Sequence, residues 1–526
     1  MARQAGTAET AMEDYALRRI PKTWTWNWFT INMVILGVGT AMFQFIFGGT
    51  LVTEFGAKNT IVASVWGLLV QGGLSYILMR HSGEEGLNVD LLSRGMGFGF
   101  VGSAITSILY WLAYTTFFVI EGTIMGSAIT AYTGIPIQLS FAIIGIVFIP
   151  LTIWGMALLS KFQSWSFILF VVLIIAAIAK VAGNATMLAN ASHWLSFGAN
   201  QGKLSLLGSL GAIGAVNGVV GANIIVGVDI VRFAPKDSNI KRGALFTAFV
   251  PLGIFLYACL ILGVWFAAGT GLTNPGIYMV KLIGLGGFLF IVLSQLRIGL
   301  DIFYGGSMCL ANFFSRTLRI VWGRKYWAVS MVIVGTVLLY LNVMPHINII
   351  LTLMGAYIAA WIGILITDSV IVRGVLKLGP GTFEYRRPYL PDFNLAGVTS
   401  IIVGTVVGII MAFGRLGHYL SDFWVDVSAI VAFVLAAVIY TIISVQSKGK
   451  YYLKQQPVPY PGSEEVNRCP VCGEIIATND FVPCPVDKVW ICSQCCMKNN
   501  TCNDHCSEKG SVVKNLAPLS PMPEAS

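Results

Sequence analysis

The chain has 526 residues, 56% of them hydrophobic and 11% charged, with a mean hydropathy of +0.76 and a formal net charge of +9. An ordinary soluble domain carries about 25% charged residues, so a soluble globular protein is excluded and a polytopic membrane protein is expected. The positive charge reads as a membrane-topology signal and gives no support to a nucleic-acid partner.

A polar N-terminal tail, residues 1–27, precedes the first apolar run. That run is followed by Gly48-Gly49 rather than a small-residue cleavage site, so it is not expected to be a cleaved signal peptide. From Trp28 to Gln446, apolar stretches of about 20 residues recur, each long enough to cross a hydrocarbon core of about 30 Å as a helix. They predict twelve spans: 28–51, 60–79, 100–132, 135–157, 162–183, 207–229, 244–269, 284–312, 326–344, 346–372, 395–413 and 423–446. Basic residues gather in the tail (Arg18, Arg19, Lys22) and in alternate connections, such as Arg232 with Lys236 and Lys241, or Arg316 with Arg324. By the positive-inside rule both termini are cytoplasmic, and a plasma membrane is the expected location.

Two runs are rich in glycine: LGVGT at 36–40 in span one, and GAIGAVNGVVGAN at 211–223 in span six. Glycine there serves either close helix packing or a broken helix. The matching positions, five spans apart, favour the second and predict an inverted repeat of spans 1–5 and 6–10 around a midplane site.

After Gln446 the composition changes. A linker at 447–468 containing Pro457, Pro459 and Pro461 leads to a segment holding eight of the ten cysteines, 469–506, and then to a tail at 507–526 expected to be disordered. The segment reads CPVC (Cys469, Cys472), Cys484 with Asp487, CSQCC (Cys492, Cys495, Cys496), then Cys502, His505 and Cys506. Paired CxxC hooks suit tetrahedral zinc, and a reducing cytosol disfavours disulfides. The order resembles the B-box zinc finger, in which alternating pairs bind two ions. That resemblance implies one site from Cys469, Cys472, Cys492 and Cys495, and another from Cys484, Asp487, Cys502 and His505. Cys506 could replace His505, and a single-zinc ribbon stays open. With every ligand supplied by protein, one or two structural zinc ions are expected, and protein contact or regulation is the expected use.

Four motifs point to a family: FGGTL (Phe47 to Leu51), DIVRFAPKDS (Asp229 to Ser238), YGGSMCLANFF (Tyr304 to Phe314) and ITDSVIVR (Ile366 to Arg373). With the lead-in EDYALRRIP (Glu13 to Pro21), they resemble the nucleobase-cation symporter-1 family of purine, cytosine, allantoin and hydantoin permeases. The resemblance spans about 430 residues. It implies the leucine-transporter type fold, an all-α membrane protein with a five-plus-five inverted repeat, and cation-coupled uptake by alternating access. It puts Trp111 where family members stack a planar ring. It also puts Val220 where a second aromatic is usual. The polar residues Gln44, Thr115, Asn217 and Asn223 are left as substitute hydrogen-bonding groups.

In sodium-coupled members, hydroxyls of span eight face the break in span one. The resemblance places Arg297 and Ile298 on those positions, so no sodium site of the family type is expected. An arginine within a span needs partners. Asp301 lies one turn along the same helix face, and Glu121 in span three is the other acid of the apolar core. Either these residues form a compensating ion pair, or Asp301 or Glu121 binds a proton or substrate amine. If Asp301 pairs with Arg297, Glu121 is the better proton carrier. Asp229 and Arg232 are expected to hold the inner end of span six.

No phosphate loop, nucleophile elbow or HExxH motif occurs, so no enzyme is expected. The reading is a permease importing a small nitrogen heterocycle such as cytosine or a purine, proton-coupled or sodium-independent. The alternative is a transporter-derived sensor that signals through its zinc domain.

Overall fold

The computed structural model describes residues 15–21, 24–153, 155–342, 347–414, 420–498, 516, 518 and 519. Among them ten helices are long and apolar enough to cross a membrane, and the 17-residue helices Ile137–Ile153 and Arg324–Tyr340 complete the set of twelve spans. Their outward faces expose Ile146, Ile168 and Leu206, each more than two-thirds accessible. Side chains of that kind in bulk on the rim belong against lipid, so the chain is a multi-pass membrane protein.

Span one is Trp28–Gly39 followed by Met42–Phe55, and Asn27 caps its start by accepting from the Thr30 amide at 2.8 Å. The helix breaks at Thr40 (φ −111°, ψ 19°) and Ala41 (φ −63°, ψ 147°). Gly37 and Gly39 let neighbours approach: a side chain at Gly37 would strike the Gln163 amide, and one at Gly39 the carbonyl of Pro251. Span six, Leu206–Val231, corrects the expectation drawn from its glycines, because it is one continuous helix. Its glycines are packing surfaces. Gly218 lies against the backbone of Leu351 and Gly355, Gly221 against Ile358, and Gly214 against the backbone of Asp426.

Spans one and six lie at the centre. Span six packs most extensively on span two (Ala57–Glu85) and on span ten (Ile347–Thr367). Span eight (Leu285–Thr317) packs on span three (Ala104–Thr133) and span five (Gly155–Ala182).

The family motifs interlock on the face that carries Tyr15 and the cysteine domain. Arg232 donates to the carbonyl of Tyr15 at 2.9 Å, to the Tyr304 hydroxyl and to the Met308 sulfur at 3.2 Å. Asp229 accepts from the Val89 amide at 2.9 Å and so caps the short helix Val89–Ser93 rather than pairing across span six. Arg373 and Asp368 form an ion pair at 2.7 Å beneath span ten.

The C-terminal domain is built from two antiparallel hairpins, β1 (Val466–Arg468) with β2 (Ile475–Ala477) and β3 (Phe481–Cys484) with β4 (Val489–Cys492), followed by the helix Ser493–Lys498. Strand β1 and the ring contacts of Tyr460 with Phe481 and, edge-on, with Trp490 carry the domain back into the predicted linker. Leu516 and Leu519, assigned from the sequence to a disordered tail, pack on its core.

Candidate functional site: a small cavity at the break in span one

At the break, Val38, Ala41, Phe43 and Gln44 of span one meet Tyr114, Phe117 and Glu121 of span three, Asn223 and Val226 of span six, and Ile298, Asp301 and Ile302 of span eight. They enclose about 30 Å³, room for a water or two. Two buried acceptors of this wall, Oδ1 of Asp301 and Oε1 of Gln44, have no hydrogen-bond partner among the described residues. Buried acceptors left unpaired are costly, and a donor-bearing ligand would relieve them.

Arg297 and Asp301 do not pair directly. Gln163 of span five stands between them: Arg297 Nε donates to Gln163 Oε1 at 2.7 Å, and Gln163 Nε2 donates to Asp301 Oδ2 at 3.2 Å and to the Arg297 carbonyl at 3.0 Å. The guanidinium also donates from Nη1 to the Thr40 hydroxyl at 3.1 Å, and it lies 5.5 Å from the ring centres of both Phe167 and Phe170. A fixed positive charge thus sits where the broken helix faces span eight. One carboxylate oxygen of Asp301 stays free for the cavity.

Glu121 has no such freedom. Its Oε1 accepts from the Phe43 amide at 3.2 Å, and its Oε2 accepts from Gln295 Nε2 at 2.8 Å. It satisfies an amide exposed at the restart of span one, as irregular backbone within a membrane requires, and ties that restart to span eight.

The structure therefore brings Gln44, Glu121, Asn223, Ile298 and Asp301 to one wall, with Arg297 behind them. It puts the other predicted residues elsewhere. Trp111 is outside the wall with its buried indole N–H unpartnered, and Thr115 donates back to the Trp111 carbonyl at 2.9 Å. Asn217 accepts from Trp66 at 3.0 Å, toward the rim, and Val220 is buried in packing. Sequence reasoning missed Gln163, Tyr114 and Phe117. For the first, a polar amide inside an apolar span was the available signal.

A second, larger cavity of about 400 Å³ lies on the face opposite Tyr15 and the cysteine domain, between the restart of span one, the first half of span six, span ten and Val425 to Ala429. Phe47 lines it, Phe43 lines the smaller cavity, and the two rings stack at 5.2 Å.

In the C-terminal domain the Sγ atoms of Cys469, Cys472, Cys492 and Cys495 all lie within 4.8 Å of one another, with 3.9 Å between Cys469 and Cys495 and between Cys472 and Cys492. A tetrahedral zinc with Zn–S bonds of about 2.3 Å needs sulfurs about 3.8 Å apart, so the set fits. The amides of Cys492 and Cys495 donate to the sulfurs of Cys469 and Cys492 at 3.5 and 3.4 Å. Of the other expected set, Cys484 and Asp487 are adjacent at 3.3 Å, while Cys502, His505 and Cys506 lie outside the described residues.

The domain is docked on the membrane part. Buried Asp480 accepts from the Tyr385 hydroxyl and from Ser493 Oγ at 2.8 Å; burial raises its carboxyl and these bonds oppose the rise. Arg386 donates to the Phe481 carbonyl at 2.9 Å.

No protein-family model matches the chain, and the search of curated proteins gives no match. Solved structures do match. One is Mhp1, a nucleobase-cation-symport-1 family transporter in a closed conformation with bromovinylhydantoin bound, at TM-score 0.62 and 19% identity over 83% of this chain and 95% of that one. Inward-facing Mhp1 gives TM-score 0.63 at 18% identity over 84% and 98%. A sodium-coupled sialic acid symporter gives TM-score 0.57 at 14% identity over 84% and 93%. The membrane part thus has the leucine-transporter type fold of these proteins, all of them transporters rather than enzymes.

Proposed function

We propose that the chain is a secondary active transporter of the nucleobase-cation symporter-1 kind, importing a small nitrogen heterocycle rich in N–H groups, linked to protons and independent of sodium. The unpartnered acceptors Asp301 Oδ1 and Gln44 Oε1 carry this reading, because they call for a ligand that donates. Phe43, Tyr114 and Phe117 offer faces for a flat ring. A ring needs more room than about 30 Å³, so it enters as the spans part from the side of the larger cavity.

Sodium independence rests on Arg297, whose guanidinium holds the Thr40 hydroxyl at the break. The likeness to Mhp1 supports the substrate class, since that transporter binds a hydantoin. Asp301, with its free oxygen, takes the proton or the substrate N–H, and Glu121 braces span one. Trp111, Thr115, Asn217 and Val220 have supporting roles away from the ring. Both termini lie in the cytoplasm of a plasma membrane, as the basic connections indicate. One zinc would be held by the four clustered cysteines as a structural ion. A second, at Cys484 and Asp487, would draw on Cys502 and His505.

The test is thermal stabilisation of the purified protein by cytosine, hypoxanthine, allantoin and 5-substituted hydantoins, with and without sodium, at two pH values. Stabilisation that ignores sodium and changes with pH is expected. A shift seen only with sodium removes the role given to Arg297. The docking of Asp480 and Phe481 on Tyr385 and Arg386 favours a second reading, in which the zinc domain passes the state of the spans to a cytoplasmic protein. A sensor would bind one of these compounds without accumulating it in proteoliposomes.

A further inference from the structure

The cysteine domain meets the membrane part at Tyr385, in the connection between spans ten and eleven. The Tyr385 hydroxyl donates to Asp480 of the cysteine domain. Its carbonyl accepts from Arg94 Nη1 at 3.2 Å, and the same guanidinium donates from Nη2 to Asn312 of span eight at 2.9 Å. Its ring lies 5.5 Å from the Arg19 guanidinium, which pairs at 2.8 Å with Glu85 at the end of span two. Tyr385, Asp480, Arg94 and Asn312 are each no more than 2% exposed. One buried tyrosine thus ties the domain to span two, to the turn that follows it and to span eight.

On the domain side, Asp480 accepts twice from Ser493, from its amide at 3.2 Å and from its hydroxyl at 2.8 Å. Ser493 opens the helix Ser493–Lys498 and lies between Cys492 and Cys495 of the cysteine quartet. The same helix reaches the membrane part directly: Met497 Sδ is 3.9 Å from Arg94 Nη1, and Gln494 shares a pocket with Arg18 and with Ala311 of span eight. The residues that the Cys492–Cys495 hook presents are therefore the ones that meet the spans, and a metal held by the four thiolates fixes that hook. We propose that the cysteine domain is a metal-dependent latch: while the quartet holds a thiophilic divalent ion such as zinc, Ser493 holds Asp480, Asp480 holds Tyr385, and Tyr385 keeps the two halves of the fold together at this face. This rests on the transport reading above, in which one half of the fold rocks against the other. Arg94 follows span two of the first half, and Asn312 belongs to span eight of the second.

A second tether keeps the released domain in place. Arg386, paired with Glu384 at 2.7 Å, donates to the Phe481 carbonyl at 2.9 Å. The connection that carries both residues is seated on the turn after span two, where a side chain at Gly95 would strike the Glu384 carbonyl. Withdrawal of the metal therefore loosens this face without shedding the domain. The molecule carries its own reporter of that loosening. Cys309 lies in span eight between Asp301 of the small cavity and Asn312 of the latch, and it is 0% exposed. A thiol reagent arriving from this face reaches it when the two halves part.

The experiment follows labelling of Cys309 by N-ethylmaleimide in the full-length protein, resolved by peptide mass spectrometry, with zinc present and after a strong chelator. Chelation should speed the labelling about tenfold, the scale of one lost hydrogen bond to a charged group, and added zinc should reverse it. Tyr385→Phe should label about tenfold faster with zinc present and gain little more from the chelator, because both changes cut the same link. Unchanged labelling after chelation overturns the latch, as do effects of Tyr385→Phe and chelation that multiply. A rise in labelling matched by a fall in the melting temperature of the spans overturns it as well, since that marks loss of the fold. Ser493→Ala gives the same readout should Tyr385→Phe fail to fold. If the wild-type protein accumulates none of cytosine, hypoxanthine or 5-benzylhydantoin in proteoliposomes, the transport reading fails, and the labelling of Cys309 still decides the latch.

Discussion

Span one and span six carry glycine in similar positions of the two halves of the fold, yet only span one breaks. The difference lies in what fills the space beside the glycines. Beside span one, Gln163 approaches Gly37, Arg297 holds Thr40, and Glu121 receives the Phe43 amide, so polar partners satisfy a backbone that has left the helix. Beside Gly218 and Gly221 of span six stand Ile358 and the backbone of Gly355 and Leu351, which fill space closely around a helix that keeps its own hydrogen bonds. Glycine permits a break, and a polar partner makes one affordable inside a membrane.

The strongest way to break this comparison is to remove the charge that holds the open helix. Arg297→Met leaves Thr40 and Gln163 without their donor, and by analogy with buried pairs cut on one side it should cost about 3–5 kcal/mol. The check is the melting temperature in detergent, which should fall further than for any variant of span six. Next, Gly221→Ala drives a methyl into Ile358 and should cost about 1–3 kcal/mol, the usual range for overpacking, with ligand binding retained in the folded fraction. If binding is lost while stability holds, span six is more than a packing surface.

Glu121→Gln is a sharper and smaller probe. Both partners of Glu121 are donors, so a glutamine amide must turn one of its own donors toward an N–H, at a cost of about 1–3 kcal/mol. Binding should weaken while its pH dependence persists, because that dependence is assigned to Asp301. A pH-independent variant would move the proton to Glu121. The smallest effect on either span should follow metal withdrawal. A strong chelator should unfold the cysteine domain, seen as reactive thiols at Cys469 and Cys492, and leave the melting of the membrane part nearly unchanged.

The twelve spans were legible because each must hide its own backbone in hydrocarbon, which makes hydropathy a local signal. The cysteine quartet was legible for a similar reason, since each half of the set is a CxxC hook. The cavity was legible only in part. Gln44, Glu121 and Asp301 stand out as polar residues in apolar runs. Gln163 is likewise a polar residue in an apolar run, but its role could not be read because it depends on Gly37 and Arg297, both more than a hundred residues away. Trp111 and Tyr114 lie three residues apart in span three, and Tyr114 lines the cavity with its hydroxyl in the room that Gly305 of span eight leaves. The continuity of span six could not be read, because Gly355 and Ile358 decide it.

The hydrophobic core of the cysteine domain contains Tyr389, a residue supplied by the connection between spans ten and eleven, with Leu453 packed beside it. During synthesis this domain emerges after the twelve spans, and its core needs a residue, Tyr389, that those spans position. The cysteine domain and the late spans thus share one apolar core, and a chain in which the connection between spans ten and eleven is misplaced leaves that core incomplete.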